Sequence, residues 1–94
     1  MYLESIALHK QGKLLEAAAR YRDLLAEAPD HAEALHMLGL VEFQSGHLDE
    51  AITLIEQSVR LRPGNAAAYS DLGVMFQQRQ QEEMATACFQ DALK

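Results

Sequence analysis

Gly12 recurs as Gly46, Pro29 as Pro63 and Gly39 as Gly73, each 34 residues further on. Ala17 returns as Ala51 and Ala85, and the large apolar Tyr21 as Ile55 and Phe89. Leu14 and Leu48, Leu38 and Leu72, and the trio Leu25, Val59 and Leu93 keep the same interval. A period of this length marks a supersecondary unit that cannot bury its apolar face alone, so copies stack and share a core. The chain is therefore expected to be a solenoid, in which each unit touches its neighbours and presents an extended surface. Its 94 residues hold three units, at 1–31, 32–65 and 66–94, about the number at which stacking becomes stable.

Within each unit apolar residues fall at three- and four-residue steps, and no stretch alternates as a strand does. The spacing predicts an all-α chain of six helices in three antiparallel pairs, at about 2–11 and 14–28, 31–44 and 48–61, and 66–78 and 82–93. Pro29 and Pro63-Gly64 interrupt the helical pattern between units, since proline removes a donor and restricts the residue before it. Asp30 followed by Glu33 has the form of a capping box, and Asn65 is suited to cap the fifth helix. Gly12 and Gly46 occupy the turns inside the first two pairs, where a left-handed backbone suits glycine. Gln80 takes that place in the third pair, so a looser or strained turn is expected there. Gly39 and Gly73, facing Ala51 and Ala85, predict close helix contacts near the short end of the ~8–10 Å range.

Eight basic against fourteen acidic residues give a net charge of −6, and every unit is net acidic. With no cluster of Lys and Arg, neither nucleic acid nor an anionic membrane surface is expected as a partner. No apolar run reaches the ~18 residues of a membrane span, and the opening segment, with Glu4 and no basic region, lacks the form of a signal peptide. Cys88 is the single cysteine, which excludes an internal disulfide and favours a cytoplasmic setting.

These residues resemble the tetratricopeptide repeat family. The matching pattern is Leu35, Leu38-Gly39, Gly46, Ala51, Ile55, Ser58 and Pro63 in the second unit. It is Tyr69, Leu72-Gly73, Phe76, Ala85, Phe89 and Ala92 in the third, and Ser5, Leu8, Gly12, Ala17, Tyr21 and Pro29 in the first. The family's tryptophan is missing, and Glu42 stands where an aromatic or aliphatic residue is usual. Glu42 is expected at the rim with its carboxylate in water.

The resemblance implies a right-handed superhelix whose first helices line a concave groove that holds a peptide segment of another protein. Carried onto this sequence, the groove would be lined by Leu3, Ile6 and Lys10, by His36, Met37, Leu40, Phe43 and Gln44, and by Asp71, Val74 and Gln78. The basic residues with which chaperone-binding members clamp a terminal carboxylate are replaced here by Leu3, Ile6, Met37, Leu40 and Asp71. An exposed apolar strip with polar edges is expected instead, and such strips mark contact sites.

His9, His31, His36 and His47 lack the spacing of a metal site, so neither metal nor cofactor is expected. Asp49-Glu50 and Glu82-Glu83 favour helix N-termini and do not form a catalytic pair. The reading is a non-catalytic interaction scaffold with a protein or peptide partner. The alternatives are N-terminal substrate-docking repeats of a larger enzyme, or a self-association module. The stretches His31–Ala51 and Leu61–Gly73 are similar to the repeats that precede the catalytic domain in bacterial relatives of O-linked N-acetylglucosamine transferases. Ala85, Cys88, Phe89, Ala92 and Leu93 give the last helix an apolar face with no following unit to cover it. Further repeats of a longer bacterial protein, or a homodimer through open repeat ends, would provide the cover.

Overall fold

The computed structural model describes residues 2–94. Its helices are α1 (Tyr2–Lys10), α2 (Leu14–Glu27), α3 (Ala32–Gln44), α4 (Leu48–Leu61), α5 (Ala66–Gln78) and α6 (Glu82–Ala92), with no strand among the described residues. Each odd-numbered helix packs on the even-numbered helix after it, α2 packs on α3, and α4 packs on α5. The result is an all-α solenoid 35 Å long.

The helix ends follow from local chemistry. α5 is capped as expected, the Asn65 side chain accepting from the Ala68 N–H at 3.2 Å. At α3 the cap is His31 rather than Asp30: His31 Nδ1 accepts from the Ala34 N–H at 3.1 Å. Asp30 is left exposed in the turn. Glu33 does not reach back to complete a box but turns to the Arg62 guanidinium at 2.9 Å. The register of the helix thus starts one residue later than the Asp30 pattern implied, and an imidazole nitrogen supplies the acceptor that an exposed N–H needs.

Gly12 and Gly46 adopt φ of 77° and 89°, and Gln80 adopts 62° in the equivalent turn. A side chain in that region costs about 1–2 kcal/mol. Gln80→Gly is therefore expected to stabilise the protein by about 1 kcal/mol, less the entropy that glycine adds to the unfolded chain. Urea unfolding followed by circular dichroism checks this; a lower midpoint would show that the turn is not strained.

The core lies in two clusters. Ala17, Ala18, Tyr21, Ala34, Leu38 and Val41 join the first two pairs, and Ala51, Ile52, Ile55, Leu72, Met75 and Phe76 are among those joining the last two. The small residues act as expected. A Cβ on Gly39 would lie 2.5 Å from Ile55 Cγ1, and one on Gly73 would lie 2.6 Å from Phe89 Cε1. Ser58 is small for a related reason: its buried hydroxyl donates to the Ala32 carbonyl at 2.8 Å, tying the end of α4 to the start of α3.

The first pair departs from this plan. Ser5 stands one period before Gly39 and is fully buried. Tyr21 packs edge-on to Tyr2 with ring centroids 6.3 Å apart, and its buried hydroxyl has no hydrogen-bond partner. Burial, with a smaller contribution from Tyr2, pushes the Tyr21 phenol up to about 12.

The last helix covers more of itself than its sequence suggests. Ala85 and Cys88 are buried within the pair α5–α6. Burial, helped by Asp91 and Glu56, raises the Cys88 thiol above its ordinary value. Where α4 places Ile52 and Val59 under the next pair, α6 has Thr86 and Leu93. Thr86 is polar, so the uncovered apolar surface narrows to Leu93, which is 89 % exposed, with Met84 beside the turn.

Candidate functional site

Helix contacts divide the molecule into two layers of different curvature. α1 touches α3 and α3 touches α5, whereas α2, α4 and α6 make no close contact with one another. Helices that fan apart form the outer side of a bend, so α1, α3 and α5 form the inner, concave side. The exposed or half-exposed residues of this layer recur at helical spacing. Among them are Leu3, Ile6 and Lys10 on α1, Met37, Leu40 and Gln44 on α3, and Asp71, Val74 and Gln78 on α5. These nine of the eleven residues expected to line the groove occupy the same three positions of the repeat in each first helix.

The other two are placed differently. His36 is 5 % exposed and faces the α3–α5 seam, where Nε2 donates to Asp71 Oδ2 at 2.7 Å. Phe43 is half-buried, packed with Leu40 against the second core cluster. Met37 and Ile6 are likewise packed against the first cluster, which leaves Leu3 and Val74, 80 % and 41 % exposed, as the most open apolar groups. The strip is shallower than its sequence implies, because Ile6, Met37, Leu40 and Phe43 are packed against the two core clusters.

Two polar contacts stitch this layer. His36 meets Asp71, and His9 Nε2 donates to Gln44 Oε1 at 2.6 Å. Both partners stand 35 positions apart, one period plus one residue. That offset was available in the sequence and would have paired them.

Glu42 is the largest departure from expectation. It is 2 % exposed rather than solvated at the rim. Arg22 of α2 donates to Oε1 at 2.9 Å, and His47 Nδ1 donates to Oε2 at 2.8 Å. A buried carboxylate needs such partners, and this one joins the first pair to the second. Ligand-type atoms of Glu42, His47 and Glu50 lie within 4.8 Å of one another, but Glu42 spends both oxygens on hydrogen bonds. The four histidines do not share a site: His9 serves Gln44, His31 caps α3, His36 meets Asp71 and His47 meets Glu42.

On the outer side an open cleft between α2 and α4 has Leu38 and Leu54 for a floor and Arg22, Asp49 and Glu50 at its rim. Among the described residues no helix is long and apolar enough to cross a membrane.

Stacked helix pairs with one layer curved inward define a helical-repeat protein. A family model described as Tetratricopeptide repeat matches residues 2–66 and 36–94, and the chain belongs to that family. It is 34 % identical over 76 residues to the Peroxisomal targeting signal receptor of Yarrowia lipolytica, covering 81 % of this chain and 13 % of that protein. It is 30 % identical over 94 residues to Tetratricopeptide repeat protein 7A of Homo sapiens, covering 100 % of this chain and 11 % of that protein. The chain thus spans 11–13 % of the length of these relatives. The crystal structure of MamA superposes with a TM-score of 0.94 at 26 % identity, over 98 % of this chain and 54 % of that one. The second repeat domain of Spaghetti (RPAP3), bound to the HSP90 peptide SRMEEVD, superposes with a TM-score of 0.93 at 17 % identity, over 98 % and 85 %.

Proposed function

We propose that this chain is a non-catalytic docking scaffold, and that its concave face holds a peptide segment of a partner protein. The observation that supports this most is the alignment of Leu3, Ile6, Met37, Leu40 and Val74 along the inner layer, with Lys10, Gln44 and Gln78 at one edge. Apolar anchors at helical spacing and a polar rim suit an extended or amphipathic segment. Met37 adds a side chain that adapts to varied shapes. A family relative is by name a receptor for a targeting signal, and a protein of the same fold holds a peptide, which agrees with this reading. A cytoplasmic setting suits a chain whose single cysteine is a buried free thiol.

A second reading places these repeats in a larger enzyme, where they would dock its protein substrates. It is compatible with the small share of the relatives' length that the chain spans.

Peptides selected from a random displayed library against the whole chain test the proposal. They are expected to be rich in apolar residues and to lose about tenfold or more in affinity against Leu40→Asp. Because Leu40 is half-buried, Val74→Asp serves as the variant that leaves the core intact. Selected peptides that bind both variants as tightly as the parent would place docking elsewhere.

A further inference from the structure

We propose that the occupant of the concave face is an apolar segment that carries a lysine or arginine, whose cation docks on Asp71. This rests on the docking face proposed above and specifies the chemistry of its partner.

The charges of the face point one way. Neither α3 nor α5 contains a lysine or arginine. Among the described residues of the face the one lysine or arginine, Lys10, is at the last turn of α1, and α1 makes no close contact with α5. Glu33, at the start of α3, is held by Arg62 at 2.9 Å and has the His31 ring 3.6 Å away. Asp71 is different. Its side chain is 37 % exposed, Oδ2 takes the His36 donor, and Oδ1 has no hydrogen bond among the described residues. His36 is buried, so it fixes the carboxylate without covering it. A group held in place before binding loses less freedom on binding.

The surroundings suit a long cationic side chain. Val74 lies one turn beyond Asp71 on the same face and is exposed. The methylene stem of a lysine or arginine can lie on such a surface while its head reaches the carboxylate. A net charge of −6 draws a basic segment in and repels an acidic one. The peptide SRMEEVD held by the structural relative carries three acidic residues; on this face its carboxylates would meet Asp71 with no basic side chain on α3 or α5 to receive them.

The test uses the whole chain and three labelled peptides of roughly twelve residues, long enough when extended to span the molecule. They share a leucine and alanine framework and differ only in a central Lys, Gln or Glu. Fluorescence anisotropy at low salt is expected to rank them Lys, Gln, Glu, with about tenfold or more between the extremes. Asp71→Asn keeps an acceptor for His36 and is expected to reduce that ratio to about threefold or less, the remainder coming from overall charge. A ratio unchanged in Asp71→Asn, a Glu peptide that binds as well as the Lys peptide, or no binding of the Lys peptide would overturn the proposal. Leu40→Asp and Val74→Asp separate the two levels. If they abolish binding of peptides that show no charge preference, docking on this face stands and the cationic partner falls. If they leave binding intact, the docking face itself is wrong.

Discussion

Gly39→Ala is expected to destabilise the protein by about 2 kcal/mol, although alanine favours a helix over glycine by about 1 kcal/mol. The added methyl would lie 2.5 Å from Ile55 Cγ1, 3.0 Å from Cδ1 and 3.2 Å from the Ala51 carbonyl oxygen. Ile55 is wholly buried and its Cγ1 is close to the backbone, so neither it nor the carbonyl can move away cheaply. Helices α3 and α4 would have to separate, and the packed interior resists that. Gly73→Ala provides the comparison. Its methyl would press on the Phe89 ring at 2.6 Å, but Phe89 is half-buried in the terminal pair and can swing outward, so about half the cost is expected. In the double variant Gly39→Ala with Ile55→Ala, the two losses should sum to clearly less than their separate total, because the clash partner is gone. Urea unfolding at equilibrium measures all of these. A Gly39→Ala protein as stable as the parent would show that the two helices are not in close contact.

Arg22→Met is expected to cost about 2 kcal/mol, while Glu42→Leu should cost less than about 1 kcal/mol or stabilise. The asymmetry comes from burial. Glu42 is buried and Arg22 is more than half exposed. Removing Arg22 leaves a desolvated carboxylate with His47 as its one partner. Removing Glu42 instead returns Arg22 and His47, both largely exposed, to water, and a leucine fills the vacated space. The cost of Arg22→Met stays at the lower end for a broken buried pair because water reaches the guanidinium. Equal losses in the two variants would mean that the pair contributes through its own attraction rather than by satisfying Glu42.

Both predictions concern residues that the sequence exposed to different degrees. Gly39 was legible because it recurs as Gly73 opposite recurrent alanines, and repetition turns a single glycine into a packing rule. Most helix boundaries were legible for the same reason, with Gly12 and Gly46 marking the turns inside the first two pairs and Pro29 and Pro63 those between units. Glu42 was not legible, because its identity belongs to one unit alone and its partners come from two other segments. A residue that breaks a period gives no second copy to compare, and charge alone suggested solvent. His31 was missed as a cap since Asp30 beside it is the commoner cap residue. The concave face was legible as a list of positions. How far each side chain is covered was not, because that depends on how closely α1, α3 and α5 approach, which a spacing pattern does not fix.

Docking on the concave face is tested most directly by amide and methyl chemical-shift mapping of the whole chain as a selected peptide is added. Binding there predicts that the largest shifts fall on Leu3, Ile6, Met37, Leu40, Asp71 and Val74, across all three first helices. Shifts confined to α2, α4 and α6, around the cleft at Leu54 or the turn at Met84, would contradict it and place the partner on the outer side.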